Sequence, residues 1–220
     1  MRPGTQPQRL RVTFAKGEEV KYISHLDLMR LWERALRRAE VPLLHSQGYN
    51  PRPKISFAAP LAVGITGQRE ILDVLLERPL ATEDFARAVN AQLPSAITLV
   101  EVQEVYATLP PLQTQVRGAE YLATVAVSEE RRQLEERITS LLRSDQLPRL
   151  RRGREYDLRP LIEELWLERE EAGQYVLGMH LRAGEQGTGR PDEVLDQLGL
   201  ADQVTGVTRS GLRFSPAGGE

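Results

Sequence analysis

Three histidines and a set of arginines hold most of the chemistry open to this chain. His25 follows Ser24 at the start of a helical pattern, and His45 opens the run HSQGYNPRPKISFA (45–58). Imidazole titrates near neutral pH, so His25 and His45 could move protons as general acid and base, with Lys21 stabilising a developing charge. At a helix N-terminus the dipole lowers the proton affinity of His25, which suits a base better than an acid. The plainer account makes His25 an exposed residue and His45 a structural one. His180 alternates outward with Arg182 on a strand. With no Cys and no HxH spacing, the three histidines form no metal set, and neither a metal nor a cofactor is expected. GxSxG, Walker A and HExxH motifs are absent, so a non-enzymatic role is preferred.

The arginines sit on a helix read from Ser24 to Glu40. At 100° per residue, Leu28, Leu31, Trp32, Ala35, Leu36 and Ala39 share one arc. Arg30, Arg34, Arg37 and Arg38 share the opposite arc with Asp27. That arc is either a solvated outer face or a surface for anions. In the run that follows, Gly48 permits a turn and Asn50 before Pro51 is pushed toward extended geometry. Pro51 and Pro53 fix an extended arm, with Arg52, Lys54 and Ser56 on one side and Pro53, Ile55 and Phe57 on the other. Such an arm would hold two cations outward for phosphates, or serve as a rigid crossover with incidental charge. A second basic run, RLRRGREYDLR (149–159), reads as a surface loop in which Tyr156 offers a stacking option. GEQGTGRPDE (184–193) looks like a phosphate cradle, but Asp192 and Glu193 would repel phosphate, so it reads as a mobile turn.

Charge is unevenly placed. Residues 1–57 carry 11 Lys and Arg against 5 Asp and Glu, a net of +6; the remainder carries 18 against 26, a net of −8. This basic front part is where an anionic partner is expected. No apolar run suits a signal peptide or a membrane span, and the lack of Cys fits a cytoplasmic setting.

The elements that must position these residues follow from periodicity. RLRVTFAK (9–16), KISFAAP (54–60), EILDVLLE (70–77) and ITLVEVQEV (97–105) read as strands. Ser24, with Asp27 three residues on, caps the first helix, and Thr82 caps a second. LPPLQTQVRG reads as a linker. EYLATVAV (120–127), YVLGMHLR (175–182) and VTGVTRSGLRF (204–214) are strands, with helices after Ser128 and from Pro191 to Gly199. PLIEELWLE (160–168) fits helix or strand. Strand–helix–strand–strand–helix–strand, found twice, predicts an α+β chain of two tandem ferredoxin-like (split βαβ) sandwiches. The expected boundaries are 1–107 and 119–214, with a linker at 108–118 and a disordered tail at 215–220.

The segments YISHLDLMR, RALRRA, HSQGYNPRPKISFA and PLAVG, within residues 21–65, resemble the bacterial radical-SAM-linked proteins. Members of that family stand alone or form the C-terminal part of radical SAM proteins. The resemblance implies association with a radical SAM enzyme in the bacterial cytoplasm, with no established activity. A looser, fold-level similarity is to the paired ferredoxin-like endoribonucleases that process CRISPR repeats. The leading expectation is an accessory RNA-binding or substrate-presenting module. Its nucleic-acid contacts would come from Lys21, His25, Arg30, Arg34, Arg37, Arg38, His45, Tyr49, Asn50, Arg52 and Lys54. The alternatives are a metal-independent endoribonuclease using His25, His45 and Lys21, and a protein-interaction scaffold.

Having no Cys, the chain cannot hold a radical SAM cluster itself. After anaerobic reconstitution with iron and sulfide it should show no iron–sulfur absorption; a cluster seen by spectroscopy on the purified chain would overturn its accessory role.

Overall fold

Alternating apolar residues build the first sheet. In the computed structural model, which describes residues 7–151, 153–184 and 187–215, β1 (Gln8–Lys16) buries Leu10, Val12 and Phe14 completely. The chain then forms α1 (His25–Arg38), β2 (Ile55–Phe57), β3 (Thr66–Leu76), α2 (Thr82–Asn90) and β4 (Ile97–Val105). β1 pairs antiparallel with β3 and β4, and β2 pairs antiparallel with β3, giving the order β4-β1-β3-β2. Leu28, Trp32 and Leu36 of α1 and Phe85 and Val89 of α2 close the core over this sheet. The edge of Trp32 meets the Phe14 ring at 5.0 Å.

The other face of the same sheet holds an ion cluster. Alternation along β1 puts Arg9 and Arg11 on the face opposite Leu10, Val12 and Phe14, where both fold onto Asp73 of β3. Arg11 stands directly opposite Asp73 in register, where side chains share a face. Asp73 is fully buried and accepts from Arg9 (Nε 2.8 Å, Nη2 2.6 Å) and from Arg11 (Nε 2.9 Å, Nη2 3.0 Å). Arg9 also donates to the carbonyls of Leu109 and Pro110, which ties down the segment after β4.

The chain divides into two compact units between Val116 and Arg117. Before that point, the stretch 108–118 holds a short helix, α3 (Leu112–Gln115), and the start of β5 (Val116–Val125). Then come α4 (Arg131–Arg143), β6 (Pro148–Arg151), β7 (Arg154–Asp157), β8 (Ile162–Glu171), β9 (Gln174–Arg182), α5 (Pro191–Gln197) and β10 (Val204–Phe214). Within the second unit the strands run in the order β10-β5-β9-β8, with β6 and β7 paired apart from them. PLIEELWLE is therefore mostly strand. In β9, Gly178 lies under Trp166 of β8: a Cβ there would stand 2.2 Å from the indole, so only glycine fits.

Several boundaries differ from expectation for reasons of capping. α2 starts after Ala81 rather than Thr82, with no side-chain cap. α4 starts at Arg131, because Glu130 and Gln133 form a reciprocal capping box that Ser128 is too early to make. The basic run 149–159 is not a loop: it forms the β6–β7 hairpin, tethered to α5 by an Arg149–Asp196 ion pair (2.7 Å) and a hydrogen bond from the Tyr156 hydroxyl to Glu193. Tyr156 is thus bound to Glu193 rather than open for stacking. Arg159 donates to the carbonyls of Leu142 and Ile162. Arg152, residues 185 and 186 of the Gly-rich turn, and the tail residues 216–220 lie outside the described residues.

Removing Asp73 takes its carboxylate from the buried Arg9 and the part-buried Arg11, so Asp73→Ala should cost about 3–5 kcal/mol, read from denaturant titration; a loss below about 1 kcal/mol, the range of exposed pairs, would reject the clamp. Burial, and then the Glu193 carboxylate, pushes the Tyr156 phenol up to about 12. Because the folded value is the higher, its contribution is complete below the unfolded tyrosine value of about 10 and is lost as pH rises through about 12. Ultraviolet phenolate titration of native protein against Tyr156→Phe should show that late transition missing from the variant.

Candidate nucleic-acid interface

The basic front part engages many of its cations internally. Arg9 and Arg11 serve Asp73. Lys16, 1% exposed, donates from Nζ to the carbonyls of Lys21 and Ile65. Lys21 pairs with Glu18 at 2.6 Å, and the hydrogen bond to that carboxylate raises the Lys21 ammonium above its ordinary value. Arg30 reaches Asp27 at 3.1 Å. Asp27 is held below the usual carboxylate value by its hydrogen bond from the Ser24 hydroxyl and then by Arg30. Ser24 caps α1 as its spacing with Asp27 predicts, accepting the Asp27 N–H at 3.1 Å. Arg34, Arg37, Arg38, Arg52 and Lys54 remain, all exposed and with no ion-pair partner among the described residues.

α1 sorts its side chains by flank. Arg30, Arg34 and Arg38 line a groove of 540 Å³ together with Gln92, Leu93 and Pro94 at the end of α2. Arg30 and Arg34, and Arg34 and Arg38, are like-charge neighbours at i,i+4, each such pair costing roughly 0.2–0.5 kcal/mol. The last helical turn favours Arg37 and Arg38 through the dipole, but Arg34 lies a turn earlier. α4 shows how this chain builds an ordinary solvated face: Arg131 meets Glu135, Arg132 meets Glu136 and Arg137 meets Glu129, at 2.6–2.8 Å.

The opening run is a closed finger and not the single extended arm that its prolines suggest. His45 bridges Pro53. Ser46 N–H donates to the Arg52 carbonyl (2.8 Å), and Arg52 N–H donates to Ser46 Oγ (3.0 Å). Both legs are anchored on β3, Leu44 N–H donating to the Leu75 carbonyl and Leu75 N–H to the Lys54 carbonyl. Between the legs, Gln47, Gly48, Tyr49, Asn50 and Pro51 are all exposed, with Gly48 at φ 132° and Tyr49 at 104% exposure. The sequence pattern does not point to Ser46, because its hydroxyl matters only once the turn closes. A signal for the finger as a whole is present nonetheless: no Asp or Glu occurs between Glu40 and Glu70.

The structure therefore gives two sites where the sequence suggests one. His25 lies on the α1 flank toward β2, its ring edge-on to Phe57 at 5.3 Å, while Arg30, Arg34 and Arg38 lie on the flank toward α2. His45 sits at the finger base, 3.9 Å from Glu77. Phe57 pairs with Leu72. Leu72 and Glu77, beside which the two histidines stand, are five residues apart along the chain, about 16 Å of extended backbone. In the second unit, His180 stands between Glu164 (2.8 Å) and Glu120 (3.7 Å). Among the described residues no cluster of His, Asp and Glu could hold a metal ion, and no helix is long and apolar enough to cross a membrane.

Solved structures are similar to this chain at low identity. A Cbf5-Nop10-Gar1 complex matches with a TM-score of 0.52 at 9% identity, over 93% of this chain and 48% of that one. The archaeal box H/ACA sRNP Nop10-Cbf5 complex matches at 0.48 and 10%, over 97% and 49%. An H/ACA RNP bound to a substrate RNA containing 2′-deoxyuridine matches at 0.47 and 10%, over 93% and 47%. The chain thus spans about half the length of these three solved chains. No curated protein matches the sequence. A family model does match, over residues 9–191, and the chain belongs to that family, the uncharacterized proteins conserved in bacteria designated DUF2344.

Proposed function

We propose that the chain is an accessory RNA-binding module that presents a substrate to a radical SAM enzyme in the bacterial cytoplasm. The observation that carries the RNA part is the exposed set Arg34, Arg37 and Arg38 on α1, without ion-pair partners among the described residues, in a chain whose α4 pairs Arg131, Arg132 and Arg137 with acids. Arg34 and Arg38 share one groove at i,i+4 spacing beside the Asp27–Arg30 ion pair, which leaves two cations there for an anionic ligand. Phosphates neutralise both the repulsion and the surplus charge. The radical SAM part rests on the resemblance of residues 21–65 and on the absence of Cys, which leaves the cluster to a partner. The fold reading is two tandem ferredoxin-like sandwiches, 1–107 and 119–214. It is supported by the fourth-first-third-second strand order of each unit, with a helix after the first and third of those strands.

The charge reversals Arg34→Glu, Arg37→Glu and Arg38→Glu test this reading together. The fold should persist by circular dichroism, since exposed changes cost little. Affinity for a single-stranded RNA should fall, and the slope of log K against log salt should flatten by about 0.7 for each phosphate no longer neutralised. Native affinity and slope in the triple variant would reduce the arginine face to a solvated surface.

A further inference from the structure

The finger carries a large aromatic ring with nothing to pack against. Tyr49 stands at its tip at 104% exposure, above a turn closed by the paired Ser46–Arg52 hydrogen bonds and the His45–Pro53 bridge. Burial does not explain a tyrosine there, and the tip has no acid near it in sequence: the nearest Asp or Glu on either side is Glu40 or Glu70. The nearest charged side chains along the chain are the exposed cations Arg52 and Lys54, on one leg of the finger.

From these placements we infer that Tyr49 is a stacking platform for one unpaired base of a single-stranded RNA, with Arg52 and Lys54 on the adjoining phosphates. The inference rests on the RNA-binding reading and adds to it the strandedness of the ligand and a second contact point. A ring on a projecting tip meets the face of a splayed base; in a duplex those faces are covered by neighbouring pairs. The cations on the same leg favour a polyanion over an apolar protein pocket. Holding the tip in one conformation before binding lowers the ordering cost of the contact.

Fluorescence anisotropy with a labelled single-stranded RNA, and with a duplex of the same sequence, tests this on the full chain. Native protein should prefer the single strand. Tyr49→Ala should weaken single-strand binding about tenfold, the scale of one base stack, with the salt slope unchanged and duplex binding unaffected. Tyr49→Phe should restore it, because stacking needs the ring and not the hydroxyl. Arg52→Glu with Lys54→Glu should instead flatten the salt slope. Native-like single-strand binding by Tyr49→Ala would overturn this inference and leave the α1 reading standing. No binding of either RNA by native protein would overturn both. As a last arm, a photoreactive benzoylphenylalanine replacing Tyr49 should crosslink to RNA in cells; adducts to protein alone would assign the finger to a protein partner and overturn the inference.

Discussion

One buried carboxylate, Asp73, decides what the rest of the first unit can do with its charge. It accepts from two guanidiniums on the strand beside it, and one of those arginines reaches on to two carbonyls beyond the last strand of that sheet. A buried ion cluster of this kind adds little net stability against an apolar replacement of equal shape, yet it penalises any register that leaves a member unpaired. Its contribution is to specificity: β1 cannot slip by one residue against β3 without placing Arg9 and Arg11 in the apolar core.

The same cluster explains why net charge alone misleads about the surface. The +6 of residues 1–57 includes Arg9, Arg11 and Lys16, which are turned inward or held by internal acceptors. What is left outside is smaller but more sharply placed, on the outer face of α1 and one leg of the finger. The two long helices then differ in kind. α4 pairs Arg131 and Arg132 with glutamates one turn on, while α1 places Arg34 and Arg38 at that spacing despite their repulsion.

Local rules carry far in this sequence wherever the deciding partners are near in the chain. The arcs of α1, its Ser24 cap, and strands β4 and β10 follow from periodicity and capping alone, and their observed bounds agree with that pattern. Long-range partners defeat the same rules. Arg9 and Arg11 share a face of β1 by alternation, but the carboxylate they meet there lies more than sixty residues away. The β6–β7 hairpin has too many arginines to show an apolar alternation, and it is held by Asp196 and Glu193 on a helix that follows much later. For the candidate site, the residue types are legible in the sequence and their grouping is not. Helix geometry puts His25 and the groove arginines on different flanks, and only the pairing of β2 and the finger legs with β3 fixes where each histidine lies.

The double hydrogen bond between Ser46 and Arg52 has a kinetic consequence. A turn that is already ordered gives up its conformational entropy when the protein folds, not when a ligand arrives. Association with such a tip is then governed by diffusion and by the charge around it, and complexes of different strength separate through their lifetimes. A partner sampling many sites could touch and leave rapidly at most of them, dwelling only where the contact is complete.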